Sequence, residues 1–226
     1  MKDHEFLLNG ASVIADPSGV LWWPEHSALI VADLHLEKAS AYAAGGILLP
    51  PYDSQATLNR LADVIRRRRP SHVLALGDSF HDAEAADRLD PNVARALRAQ
   101  VLALDRWTWI AGNHDPVPPE RFGGSVASEV EIGPLRFRHE PIVAATGEVA
   151  GHLHPKIRIS TRARRIGARC FITDGQRIVL PAFGALTGGL DIGDTAIRRL
   201  FPAAAVALVL GPERVHAIRV GNRRPG

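Results

Sequence analysis

The chain has 226 residues, 46% hydrophobic and 23% charged, with a formal net charge of +3 and a pI of about 9.5. This suits one soluble domain, residues 1–226, with a sizeable core, and no segment approaches the about 20 consecutive apolar residues that cross a bilayer. The start MKDHEFLLNG lacks the pattern of a secretory leader, and the single Cys170 excludes an internal disulfide and a thiolate zinc site, so a cytoplasmic location is expected and any metal must be held by His, Asp and Asn.

In chain order, Phe6–Leu8 and Val20–Trp23 read as a leading hairpin. Ser27–Asp33 (SALIVAD) is a short, β-branched apolar run that ends in acid, the pattern of a buried strand. A Gly/Pro-bearing loop spans Gly45–Pro51. Asp53 or Ser54 then stands where a helix cap belongs, ahead of Leu58, Leu61 and Ile65 on one face. That helix closes in Arg66–Arg69, cations suited to a helix C-terminus, and Pro70 stops it. His72–Leu76 is a second buried strand, ending in Gly77-Asp78. A helical stretch from about Pro91 to Leu104 aligns Val93, Leu97 and Val101. Trp107–Ala111 is a third strand, ending in Gly112-Asn113-His114-Asp115. Beyond about residue 125 strand-like runs take over: Leu135–His139, Val149–His152, Arg177–Leu180, Ala203–Leu210 and Val215–Val220. The first half reads as βαβαβ and the second as mostly β. Two sheets between helices, an α/β (α+β) fold, is the economical packing.

Three successive strands end in polar signatures: Asp33-Leu34-His35, Gly77-Asp78 and Gly112-Asn113-His114-Asp115. A lone Asp after a strand is ordinarily a turn or a cap. Three at equivalent positions point to a site at the carboxyl ends of the strands. A fourth signature, Gly151-His152-Leu153-His154, places two histidines at i and i+2. On an extended segment they face the same way and could reach two neighbouring ions. His139 ends another strand-like run. Six of the ten histidines (His35, His81, His114, His139, His152 and His154) lie at these signatures. His4, His26, His72 and His216 read as ordinary surface or core residues. Imidazole, carboxylate and amide donors suit Mn, Fe, Zn or Ni, and Asp78 is the natural bridging carboxylate. Two ions about 3.5–4 Å apart can share a hydroxide for in-line attack on phosphorus. A further histidine can protonate the leaving alkoxide.

The set Asp33-x-His35, Gly77-Asp78, Gly112-Asn113-His114-Asp115, His139 and Gly151-His152-x-His154 resembles the five-motif signature of the calcineurin-like metallophosphoesterases, in order over residues 33–154. The resemblance implies a four-layer α-β-β-α sandwich of two mixed sheets flanked by helices. It implies one metal on Asp33, His35, Asp78 and His154 and another on Asp78, Asn113, His139 and His152, with His114 as general acid at the scissile phosphate. Many phosphatases of the superfamily carry a second Asp three residues after the bridging one. Here that position is His81, and the stretch from Gly77 to His81 resembles the DNA-nuclease branch, where the corresponding His assists the catalytic His.

A narrower resemblance rests on DLHLEKAS (33–40), LLPPYD (48–53), GNHDP (112–116), HEP (139–141), GHLHP (151–155) and PAFGALTGGL (181–190). These look like the bacterial DNA-ligase-associated metallophosphoesterases, encoded beside a ligase, a helicase and an exonuclease in a repair cluster. The implied activity is a manganese-dependent single-strand DNA endonuclease. The alternatives are a small-molecule phosphatase or cyclic-nucleotide phosphodiesterase, and a non-catalytic metal-dependent binding module of a repair complex.

Outside the motifs, Glu37 and Lys38 read as a surface ion pair on a short helix, or Lys38 as a phosphate contact. Arg66–Arg69 reads as a solvated helix end. Arg158, Arg162, Arg164, Arg165 and Arg169 form a basic segment beside the last motif and are the better DNA-track candidate. Trp22 and Trp23, adjacent on a strand, must face opposite ways, the outer one on a covered sheet or against a base. The last 25 or so residues carry no signature.

Overall fold

The computed structural model describes residues 2–118, 120–160 and 165–221. The first sheet contains β1 (His4–Leu8), β2 (Ala11–Ala15), β3 (Leu21–Trp23), β4 (Ala28–Val31), β5 (His72–Leu76), β6 (Arg106–Ile110) and β7 (Ser125–Ala127), side by side in that order. From β1 to β4 the neighbours run antiparallel, and from β4 to β7 they run parallel. The second sheet contains β8 (Glu129–Ile132), β9 (Leu135–Arg138), β10 (Glu148–Ala150), β11 (Lys156–Ser160), β12 (Arg165–Thr173), β13 (Ile178–Val179), β14 (Ala205–Leu210) and β15 (Val215–Val220). Its order is β15-β14-β12-β13-β10-β9-β8, with β11 paired to β12. In it β9, β10 and β13 are parallel, and the remaining pairs are antiparallel. The helices are α1 (Lys38–Ala44), α2 (Asp53–Arg68), α3 (Ala85–Arg88), α4 (Pro91–Leu102) and α5 (Thr195–Leu200).

Burial on both faces is what makes the central strands continuous apolar runs. Every residue of β4 is buried. Its alternation sends Ala28 and Ile30 into the core between the sheets, and Leu29 and Val31 towards α2 and α4. Leu58, Leu61 and Val64 of α2 and Val93, Leu97 and Val101 of α4 cover that helix side. Phe137, Val149, Phe171 and Leu208 of the second sheet close the inter-sheet core. On the far face, Ile172, Val179, Ala207 and Val209 lie under Ile197 and Leu200 of α5. Each fully buried Leu, Ile or Phe contributes roughly 1.5–3 kcal/mol. These are two mixed sheets flanked by helices, the expected four layers. Trp23 faces the inter-sheet core and Trp22 the helix layer, so Trp22 covers the sheet.

Several local expectations change. Phe6–Leu8 does not pair with Val20–Trp23: β2 lies between them, because two-residue Asn9-Gly10 turns the chain straight back, with φ of 48° and 88°. Asp53 and Ser54 do not cap their own helix, whose N-cap is Tyr52. They reach across to cap α1 instead. Asp53 Oδ2 accepts from the Ala39 amide at 3.1 Å, and Ser54 Oγ accepts from the Glu37 amide at 2.8 Å. Glu37 accordingly accepts from the Ser54 hydroxyl and not from Lys38. The Arg66–Arg69 end is largely exposed as expected, but Arg67 and Arg68 also bind the fully buried Asp16, at 2.6 and 2.5 Å. The strands β7, β8, β11 and β12 and the helix α5, capped by Asp194, were not anticipated.

Candidate metal centre

The carboxyl ends of β4, β5 and β6 lie side by side because those strands are parallel and in register. Asp33–Leu36 continues past β4 alongside the segment after β5, through His35 N–Asp78 O (2.8 Å) and Leu36 N–Ser79 O (2.9 Å). The second sheet delivers His139 after β9 and His152 and His154 after β10, tied to the first by the His152 amide donating to Asp33 Oδ2 at 3.0 Å. All the sequence-predicted site residues therefore meet at one place.

Two clusters flank Asp78, and His35, Asp78 and His114 form a third group that overlaps both. Asp33, His35 and His154 form one: His154 Nε2 lies 3.2 Å from Asp33 Oδ1, and His35 Nε2 lies 3.3 Å from His154 Nε2. Asp78, His139 and His152 form the other, with Asn113 Oδ1 at 2.9 Å from His139 Nε2 and 3.0 Å from His152 Nδ1. Asp78 sits between them, Oδ2 3.7 Å from His35 Nε2 and Oδ1 3.4 Å from His139 Nε2. Within each cluster the candidate donor atoms lie within 4.8 Å of one another.

The backbone there is strained for that purpose. Asp33, His35, Asp78, His152 and His154 all have positive φ, from 42° to 69°. Such a conformation costs a non-glycine residue of order 1 kcal/mol or more, and surrounding packing must impose it. His152 and His154 are thus not on an extended strand. β10 ends at Ala150, and the left-handed turns send His152 to one cluster and His154 to the other. Glycines give the clearance. A Cβ on Gly112 would overlap the Asp78 amide and carboxylate, and one on Gly151 would sit 2.7 Å from Asp33 Oδ2.

The electrostatics suit cations. Burial, with His154 beside it, holds His35 down to about 2, so its imidazole is a neutral donor. Burial would raise Asp78, but the hydrogen bond and charge of His139 and the His114 amide hold it down to about 2. Burial would lower His139, yet Asp78 and Asp33 raise it to about 9. Two buried carboxylates thus call for positive charge between the histidines. With nitrogen lone pairs converging on them, these residues fit two divalent ions. His139 Nδ1 donates to Leu76 O at 2.9 Å, which leaves Nε2 for the centre.

His114 stands at the mouth, 41% exposed, with Nε2 4.0 Å from Asp78 Oδ2. His81 stacks on it with centroids 5.1 Å apart, and the His81 carbonyl accepts from His114 Nδ1 at 2.8 Å. Sequence reasoning misses the roles of two participants, Asp115 and Tyr42, whereas Lys38 is the phosphate-contact candidate it names. Asp115 is buried and accepts from the Ser79 and Phe80 amides, at 2.8 and 3.1 Å, so it shapes the loop that carries His81. Tyr42, 39% exposed, stacks on His81 with centroids 6.3 Å apart. Lys38 is pushed down by burial and lies close enough to Asp78 to feel its charge. A shallow cleft of about 310 Å³ opens beside Asn113 and His139, bordered by Glu129 and Arg138. Of the basic segment, Arg158 pairs with Asp191 at 3.6 Å, and Arg162 and Arg164 lie outside the described residues.

A family model described as calcineurin-like phosphoesterase matches residues 26–210. Among solved structures, the nuclease MPE of Pseudomonas putida is similar at 26% identity and a TM-score of 0.73, covering 96% of this chain and 100% of that one. The phosphoesterase Yfce of E. coli aligns at 12% identity and a TM-score of 0.42, over 86% and 98%. No curated protein matches.

Proposed function

This chain belongs to the calcineurin-like phosphoesterase family, and we propose that within it the protein is a manganese-dependent endonuclease for single-stranded DNA in repair. That it is a metal-dependent phosphodiester hydrolase follows from the family and the similar nuclease. The single observation that carries the finer reading is the open centre. Asn113, His114 and Tyr42 are exposed, and His81 stacks with both His114 and Tyr42, which suits a strand with bases to stack rather than an enclosed small ester.

On this reading Asp33, His35, Asp78 and His154 would hold one ion, and Asp78, Asn113, His139 and His152 the other. When bound, the pair supplies Lewis-acid charge to the phosphoryl oxygens and an activated water. The protein's own residues do the rest. The His81 carbonyl keeps the proton of His114 on Nδ1 in the neutral ring, so the second proton is carried on Nε2, facing the centre. That proton is the one available to a leaving oxygen. His81 fixes the plane of His114 by stacking, and Asp115 fixes the loop beneath.

The test is a matrix of metals (Mn, Mg, Zn, Fe) against linear and circular single-stranded DNA, duplex DNA and a phosphomonoester. Opening of the circular single strand with Mn is the expected result. Hydrolysis of the monoester without any strand cleavage would sink the reading in favour of a small-molecule phosphatase.

A further inference from the structure

A second group of cations lies away from the centre and lacks acidic partners. Arg60, on α2, stacks its guanidinium 4.1 Å from the centroid of Phe183. Its Nε and Nη2, the edge that grips an oxyanion with two parallel bonds, are buried without a hydrogen-bond partner. Arg169, on β12, donates from Nη1 to Ala182 O at 2.9 Å. Both guanidinium groups thus rest on consecutive residues of one loop. Among the described residues no carboxylate pairs with either. Nearby Asp63 is taken by Arg66, and Asp16 by Arg67 and Arg68. Both arginines line a cavity of about 500 Å³ with Ser18, Arg67 and Gly211, and Asp63, paired with Arg66, lines it too. Burying like charges together is unfavourable unless an anion joins them. Burial and the neighbouring Arg169 bring Arg60 down to about 10, the direction expected of cations awaiting a counter-ion.

These arginines are connected to the centre by covalent and register neighbours. Lys156 follows the candidate ligand His154 by two residues. A Cβ built on Gly189 would touch both His154 Cβ and Lys156 Cε, at 3.1 Å each. Lys156 is the register partner of Arg169 across β11 and β12, so the two side chains leave the same face. The loop that both arginines hold is itself bonded to the other end of the centre, through Phe183 N–Ala32 O (2.9 Å) and Gly184 N–Asp33 O (3.0 Å).

We propose that Lys156, Arg169 and Arg60 form a phosphate track that carries a single nucleic-acid strand from the metal centre along the flank of α2. The inference rests on the nuclease reading above and adds where the strand runs. A chain of cations at successive positions is what a polyanion requires, and a lone small ester would not reach beyond Lys156.

The test compares wild-type protein with Arg60→Gln/Arg169→Gln and with Arg60→Lys/Arg169→Lys, all loaded with Mn. Substrates are deoxyoligonucleotides from a dinucleotide to roughly 12 nucleotides, with a small chromogenic phosphodiester as the reference within each variant. For the Gln variant, the ratio of kcat/KM on the longest strand to that on the reference should fall about tenfold or more. The slope of log K against log salt should shrink by about 1.4, or 0.7 per lost phosphate contact. The Lys variant should recover the slope. An unchanged ratio and slope in the Gln variant would overturn the track. So would stabilisation of wild-type protein, but not of the Gln variant, by inorganic phosphate with no dependence on strand length, which would mark a free-anion site. Wild-type protein that hydrolyses the reference and cuts no strand would instead overturn the underlying nuclease reading.

Discussion

At the scale of single residues, the candidate centre depends on atoms that are absent as much as on those present. Gly112 has no Cβ, and the space is filled by the Asp78 amide and carboxylate and by Asp115 Oδ1. Gly112→Ala should therefore displace the shared carboxylate and lower metal content at both positions, although Ala is chemically inert. Elemental analysis after dialysis against Mn checks this, and two retained ions would refute it. Asp78 and the histidines were legible from residue type and spacing alone. Asp115 was read only as part of a motif, because its role, accepting two amides from a segment 35 and 36 residues earlier, is invisible in sequence.

At the scale of elements, strand periods and buried helix faces were legible from sequence, whereas partners were not. Asp53 and Ser54 sat in cap positions for α2, yet they cap α1, since side chains there can turn to whichever free amides the tertiary fold brings near. His72 gives an element-scale prediction. It is buried in β5, bonded to Thr108 of β6 at 2.9 Å, and held down to about 4 by burial, with Arg106 adding to it. Its folded pKa lies below the unfolded value of about 6.5, so the unfolded chain takes up the extra proton between the two. The stability from neutral His72 is then complete above about pH 6.5 and lost as pH falls towards about 4. Melting temperature should drop over that window, and His72→Gln should flatten the drop. An identical pH profile in the variant would show that another group is responsible.

At the scale of the whole molecule, the two sheets must pack in one register for the two clusters to meet. Phe137 lies in that interface, fully buried, with Trp23 of the first sheet 6.2 Å away between centroids, and it sits two residues before His139. Phe137→Ala should cost roughly 3–5 kcal/mol and loosen the His139 side of the centre. A urea unfolding free energy lowered by less than about 1 kcal/mol would mean that the sheets are held elsewhere.

What the sequence by itself determined is the set of chemical groups at strand ends and the alternation that buries the strands, because residue type and period are local properties. Only the tertiary structure decided which candidate donors cluster together, why five of them adopt left-handed backbone, and that Arg169 and Arg60 meet on one loop. Those facts depend on contacts such as His154 with His35, 119 positions apart. Such contacts exist only once the inter-sheet core has closed and set the distance between the two sheets' loops.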